Sequence, residues 1–263
     1  MSEATMLEAV LKRDRAIVLV GLAGLSALAW AYIIALVWRM PDREMAMAMA
    51  MPHMQTWGAT EVLLTWVMWA VMMVAMMTPS AAPMILTFAT ISRRRQAQQG
   101  PFVSTTVFGL GYLLVWGGFS VLATLAQWGL HTAALLSPTI VITSPIVGGL
   151  LLMAAGIFQW TPLKFTCLTQ CRSLLGFIMT EWREGARGAL VMGLRHGSYC
   201  VGCCWVLMAL LFVAGVMNLL WVAAIAAFVL VEKVLPRGEL VGRVAGGVLM
   251  LAGLVLLGQR WLT

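Results

Sequence analysis

The stretch Glu61–Arg95, EVLLTWVMWAVMMVAMMTPSAAPMILTFATISRRR, decides the fold. Between Glu61 and Arg93 it carries no charged side chain. A helix that crosses the hydrocarbon core of a bilayer needs roughly 20 mostly apolar residues, and this run exceeds that. Its apolar positions are continuous rather than alternating, which excludes an outer-membrane β-strand. Pro79 and Pro83 each lack a backbone N–H, so the helix is expected to kink and to expose carbonyls near one end. The triplet Arg93-Arg94-Arg95 marks that end as cytoplasmic.

The rest of the chain has the same character. Of 263 residues, 62% are apolar and only 10% are charged, with a mean hydropathy of +0.93. A soluble domain carries about 25% charged residues, so a soluble enzyme, a disordered tail and a secreted disulfide scaffold are all excluded. The sequence predicts an all-α, polytopic transmembrane helix bundle forming one integral membrane domain over residues 1–263. About seven spans are expected: Ala16–Trp38, Glu61–Ile91, Phe102–Gln127, Thr143–Trp160, Ala189–Val216, Leu219–Leu235 and Leu240–Leu262. Six result if the break near Asn218 is not real. The first span follows Lys12, Arg13 and Arg15 and reads as an anchor rather than a signal peptide.

With a cytoplasmic N-terminus, 14 Lys and Arg residues fall on inner segments and only Arg39, Arg43 and Arg260 on outer ones. That asymmetry follows the positive-inside rule. The +7 net charge is therefore a topology signal suited to lipid headgroups, not a nucleic-acid footprint. The expected location is a bacterial inner membrane, multi-pass. Two polar segments stand out: an extracytoplasmic loop at 39–60 and a cytoplasmic loop at 161–188.

The outer loop is rich in methionine. Met45, Met47, Met49, Met51 and Met54 surround His53, with alanines between the first sulfurs. Thioethers are soft, uncharged donors that favour Cu(I) over hard cations, although methionine also serves as flexible apolar filler. Within the Glu61–Arg95 helix, Glu61, Met68, Met72 and Met76 fall within about 80° of one another at 100° per residue. This stripe reads either as a thioether ladder for a soft cation or as ordinary helix packing.

The most specific pattern is cytoplasmic. Cys167-x3-Cys171 is followed by His196-x3-Cys200-x2-Cys203-Cys204, so all five cysteines lie within 38 residues. On a helix His196, Cys200 and Cys203 share one face, and Cys167 and Cys171 are one turn apart. Thiol and imidazole at such spacing form a metal-ligand set. Lys164 and Arg195 are near in sequence and are expected to favour thiolates. The odd count and the reducing side of the membrane argue against a disulfide framework. Glu232 and Lys233 are expected to pair at an interface.

Three stretches, Trp69–Ser80 (WAVMMVAMMTPS), Pro162–Ser173 (PLKFTCLTQCRS) and Met192–Trp205 (MGLRHGSYCVGCCW), together with Gly215-Val-Met-Asn-Leu219 and Glu232-Lys-Val-Leu-Pro236, resemble the bacterial predicted metal-binding integral membrane protein family. The likeness spans roughly Trp57 to Gly258. It implies metal binding at Cys167, Cys171, His196, Cys200, Cys203 and Cys204, and supplies no reaction. No GxSxG, P-loop or HExxH pattern occurs, and no catalytic residue is assigned. The expected function is Cu(I) capture, transfer or transport, with zinc as the other candidate ion and a soluble metal-binding partner or a second copy as candidate partners. A membrane metalloenzyme, a thiol-redox protein and a structural subunit of a larger complex remain open alternatives.

Overall fold

The computed structural model describes residues 3–38, 57–98, 103–137 and 140–258, with side chains from residue 12 onward. The long helices α1 (Glu3–Trp38), α2 (Ala59–Ala97) and α3 (Thr105–Thr132) come first. The shorter α4 (Pro145–Phe158), α5 (Pro162–Arg172) and α6 (Leu174–Glu181) follow, then α7 (Gly185–Ala209), α8 (Leu211–Ala214), α9 (Leu219–Val234) and α10 (Gly238–Gly258). Among the described residues the only extended pairing is one bridge, Leu136 to Ile142. The all-α expectation is met. The methionine-loop residues Met45, Met47, Met49, Met51, His53 and Met54 lie outside the described residues.

Five helical stretches are long and apolar enough to cross a membrane: Lys12–Trp38, Ala59–Ala97, Thr105–Thr132, Gly185–Ala214 and Gly238–Gly258. The expected span Thr143–Trp160 is a 14-residue helix that meets α5 at a 61° bend. Counted as one broken span, that pair brings the total to six. The expected span Leu219–Leu235 appears as α9, only 16 residues long. The helix reaches about 24 Å at 1.5 Å per residue, short of a ~30 Å hydrocarbon core. The break at Asn218 is real: Gly215 turns the chain at φ 96°, and the Asn218 side chain accepts from the N–H groups of Leu220 and Trp221. The 161–188 segment is largely helical, with Thr161 capping α5 and Pro162 at its first position.

The exterior is apolar. On α10, Leu240, Val244, Val248 and Leu251 are all exposed, and on α1 so are Val20 and Leu28. The interior contains Trp69, Trp116, Tyr112 and the methionines of α2. α2 runs unbroken through Pro79 and Pro83. Proline at 79 leaves the Ala75 carbonyl without its usual partner, and the Ser26 hydroxyl of α1 donates to it at 3.3 Å.

The α3–α7 crossing sets the geometry of the core. A Cβ added at Gly193 would overlap the Phe108 carbonyl, and one at Gly197 would come within 2.9 Å of the Val115 Cβ. Glycine lets the two backbones touch, as in close-packed membrane helices. Gly193→Val is expected to lower stability by about 1–3 kcal/mol or more through overpacking, read as a drop in the thermal unfolding midpoint of protein in detergent.

Candidate metal centre

α7 delivers four of the predicted site residues to one buried face. His196 is 3% exposed, Cys203 is 1% exposed, and Cys200 and Cys204 are fully buried. α5 packs against this face. Its two cysteines are one turn apart, and both face α7. The buried Cys171 thiol lies close to those of Cys200 and Cys203. The half-buried Cys167 rests on Gly202, where an added Cβ would come within 2.8 Å of its sulfur. The thiols of Cys203 and Cys204 each donate to the Cys200 carbonyl, at 3.1 and 2.9 Å. Five free cysteines from two helices thus line one interface.

Cys200 sits in a closed circuit of polar contacts. Lys233 Nζ donates to its sulfur at 2.9 Å and to Ser80 Oγ at 3.1 Å. Ser80 in turn donates to the Met77 carbonyl at 2.9 Å. Tyr112 Oη lies 3.2 Å from both that carbonyl and the Cys200 sulfur. The circuit joins α2, α3, α7 and α9 around one thiol.

His196 lies in an aromatic box formed by Phe108, Tyr112 and Phe177, with ring centroids 6.1, 5.7 and 5.5 Å away. Its Nδ1 is buried and has no hydrogen-bond partner. A buried polar atom without a partner is costly, so this nitrogen is an available donor beside the sulfurs. Among the described residues no three His, Cys, Asp or Glu side chains stand in a ready coordination shell. The donor chemistry, thiol plus imidazole in an apolar core, suits a soft ion of low coordination number.

The basic residues expected beside the thiols lie elsewhere. Arg195 pairs with Glu181 in a largely exposed contact. Lys164 is buried and pairs with Glu232 at 2.5 Å, with Gln159 as a second partner. The cation at the thiols is Lys233, which does not pair with Glu232. Neighbours on a helix diverge by about 100°, so α9 sends these two side chains to different partners. Tyr112 and Ser80 were not singled out from sequence, and Lys233 was read there only as an interfacial pairing residue. An ionisable residue in an apolar segment is itself a functional signal, and Lys233 carried it.

The α2 stripe is buried, with Met68 at 8% exposure and Met72 and Met76 at 1%. Met73 and Met77, about 100° further round the helix from Met72 and Met76, are buried as well, so methionines fill α2's surroundings on more than one side. Glu61 is exposed and accepts from the Gly58 N–H at 3.0 Å as a helix cap. His131 accepts from Trp57 Nε1 at 3.2 Å.

Fold and site together define an all-helical protein with an apolar exterior and a buried cluster of soft donors. Residues 66–256 match the PpoB2 family, described as a copper chaperone. The match covers well over half of the 263 residues, and the chain belongs to that copper-related family. No curated protein and no solved structure matches it.

The buried Lys164–Glu232 pair yields a prediction of its own. Lys164→Met or Glu232→Gln alone is expected to cost about 3–5 kcal/mol, because each strands a buried charge or donor. The double substitution Lys164→Met with Glu232→Leu is expected to cost less than either single one, as measured by thermal unfolding of the three variants.

Proposed function

We propose that this protein is a multi-pass protein of a bacterial inner membrane that binds Cu(I) as cargo and passes it on. In this reading the N-terminus is cytoplasmic and α9 also crosses, giving seven passages with the bent α4–α5 pair counted as one. The inner thiols of Cys171, Cys200, Cys203 and Cys204 receive the ion, with His196 and Cys167 at the margins of the site. The observation that carries the proposal is the convergence of thiols from α5 and α7 in the buried core of a copper chaperone family member.

The direction of transfer follows from donor strength. Methionine thioethers are neutral and hold Cu(I) loosely, whereas thiolates are anionic and hold it tightly. Met45, Met47, Met49, Met51, Met54 and His53 would capture the ion outside. Met68, Met72 and Met76 would lead it inward, with Glu61 attracting cations at the mouth. A soluble metal-binding protein, or a second copy of the chain, would take the ion from the thiols. Zinc is the competing ion.

The test is elemental analysis of protein purified under reducing conditions. Wild type is expected to carry stoichiometric copper, and Cys200→Ser with Cys203→Ser to carry only background. Equal copper content in both proteins would remove the site, and zinc in place of copper would change the cargo.

A further inference from the structure

A cleft of about 280 Å³ opens where the end of α4 and the start of α5 meet α9 and α10. The Trp160 indole closes one side: its Nε1 donates to the Arg243 carbonyl at 3.1 Å and ties α4 to α10. Gly246 of α10 makes room for that contact, since an added Cβ would come within 2.6 Å of the indole nitrogen. The cleft contains none of the cysteines, and its Lys164 and Glu232 satisfy each other. Gln159, which also lines it, is 5% exposed. The Gln159 Oε1 accepts from Lys164, whereas its Nε2 has no hydrogen-bond partner. The amide cannot be turned round, because Nε2 would then face the ammonium donor to donor. Glu239 and Arg243 stand one turn apart on α10, both line the cleft, and neither forms an ion pair among the described residues. The N-terminal end of α5 adds its positive dipole. Two lining aromatics, Trp160 and Phe165, are exposed, as suits the headgroup depth of a bilayer.

We propose that this cleft binds the headgroup of a zwitterionic phospholipid, its phosphate against Arg243 and the Gln159 amide and its primary ammonium against Glu239. A buried N–H donor without a partner is costly, and a phosphate oxygen is an acceptor that relieves it. A guanidinium matches phosphate geometry and binds it through charge-assisted hydrogen bonds. Glu239, one turn away, repels further negative charge and accepts from an ammonium N–H. A headgroup that carries phosphate alone therefore fits less well than one that carries both charges. A quaternary ammonium has no N–H to give, which puts ethanolamine ahead of choline. The acyl chains stay outside, along the apolar exterior. The inference needs the chain to lie in a bilayer, as proposed above, and uses nothing of its copper site.

The test offers full-length protein in detergent phosphatidylethanolamine, phosphatidylglycerol and phosphatidylcholine with identical acyl chains, in competition. Native mass spectrometry reads the bound ratios. Wild type is expected to retain phosphatidylethanolamine over the other two. Glu239→Gln is expected to lower the ratio of phosphatidylethanolamine to phosphatidylglycerol by about 10-fold, the worth of one charge-assisted hydrogen bond. A merely structural role for Glu239 would change all three lipids alike and leave the ratio unmoved. Gln159→Glu keeps an acceptor for Lys164 and replaces the free donor with an oxygen, and it is expected to weaken all three. Arg243→Gln is expected to do the same, and Arg243→Lys to restore binding in part. A wild type that holds the three lipids equally, or a Glu239→Gln ratio equal to wild type, overturns the inference. Displacement of the lipid by excess inorganic phosphate would make the occupant a free anion and overturns it too. Should Gln159→Glu fail to fold, the wild-type and Glu239→Gln ratios decide. Copper content, measured on the same wild-type sample, separates the two proposals: its absence overturns the proposed function and leaves the lipid ratios standing.

Discussion

Gly111 and Gly193 let α3 and α7 meet backbone to backbone, with no side chain between them. That contact places Tyr112 of α3 against both His196 and Cys200 of α7. In a protein with an apolar exterior, solvent-driven burial contributes little to holding helices together, and close van der Waals approach takes its place. The same solution recurs where α4 meets α10, with Gly149, Gly156 and Gly253 at the contact. The thiol face of α7 is therefore held by one tight crossing on the α3 side and by α5 on the other.

Two cations reach this core, the buried Lys164 and the half-buried Lys233, and their environments differ. Lys164 is matched by a carboxylate, Glu232, and the pair is electrically closed. Among the described residues Lys233 meets a hydroxyl and a sulfur and no carboxylate. A half-buried ammonium without a carboxylate is stable where another group supplies negative character. The Cys200 sulfur is the group placed to do so, with the Tyr112 hydroxyl 3.2 Å from it on the other side. Cys200 therefore differs from its neighbours Cys203 and Cys204, whose thiols are turned to a backbone carbonyl.

Much of the fold was legible because bilayer-length apolar runs admit one structure. The i, i+4 spacing of Cys167 and Cys171, and of His196 and Cys200, gave the faces that the helices present. What spacing alone leaves open is how two separate segments approach each other, and the structure brings Cys171 to Cys200. The span count was less legible, because α4 and α9 are too short for the length rule and α5 turns away at Thr161-Pro162. Lys233 was misread as Glu232's partner because adjacency in sequence is not adjacency on a helix. Lys164 and Arg195, near the cysteines along the chain, found carboxylates elsewhere. Glu61 satisfies its own helix end, a local demand that any first-turn glutamate can meet.

The position of α9 links these features. Glu232 and Lys233 are consecutive, and the roughly 100° step between helical neighbours directs them to different helices. Glu232 holds Lys164 near the start of α5, the helix that bears Cys167 and Cys171. Lys233 holds Cys200 on α7, the helix that bears the other thiols. The C-terminal end of α9 is thus a common anchor for both sulfur-bearing helices. Gly242 of α10 closes over it, since any side chain there would strike the Glu232 carboxylate. α5 cannot slide along α7 without drawing Lys164 from its carboxylate and stranding a buried charge, which low dielectric makes costly. The distance between Cys171 and Cys200 is therefore set by charges outside the thiols, and the sulfurs need no bond to each other to stay together.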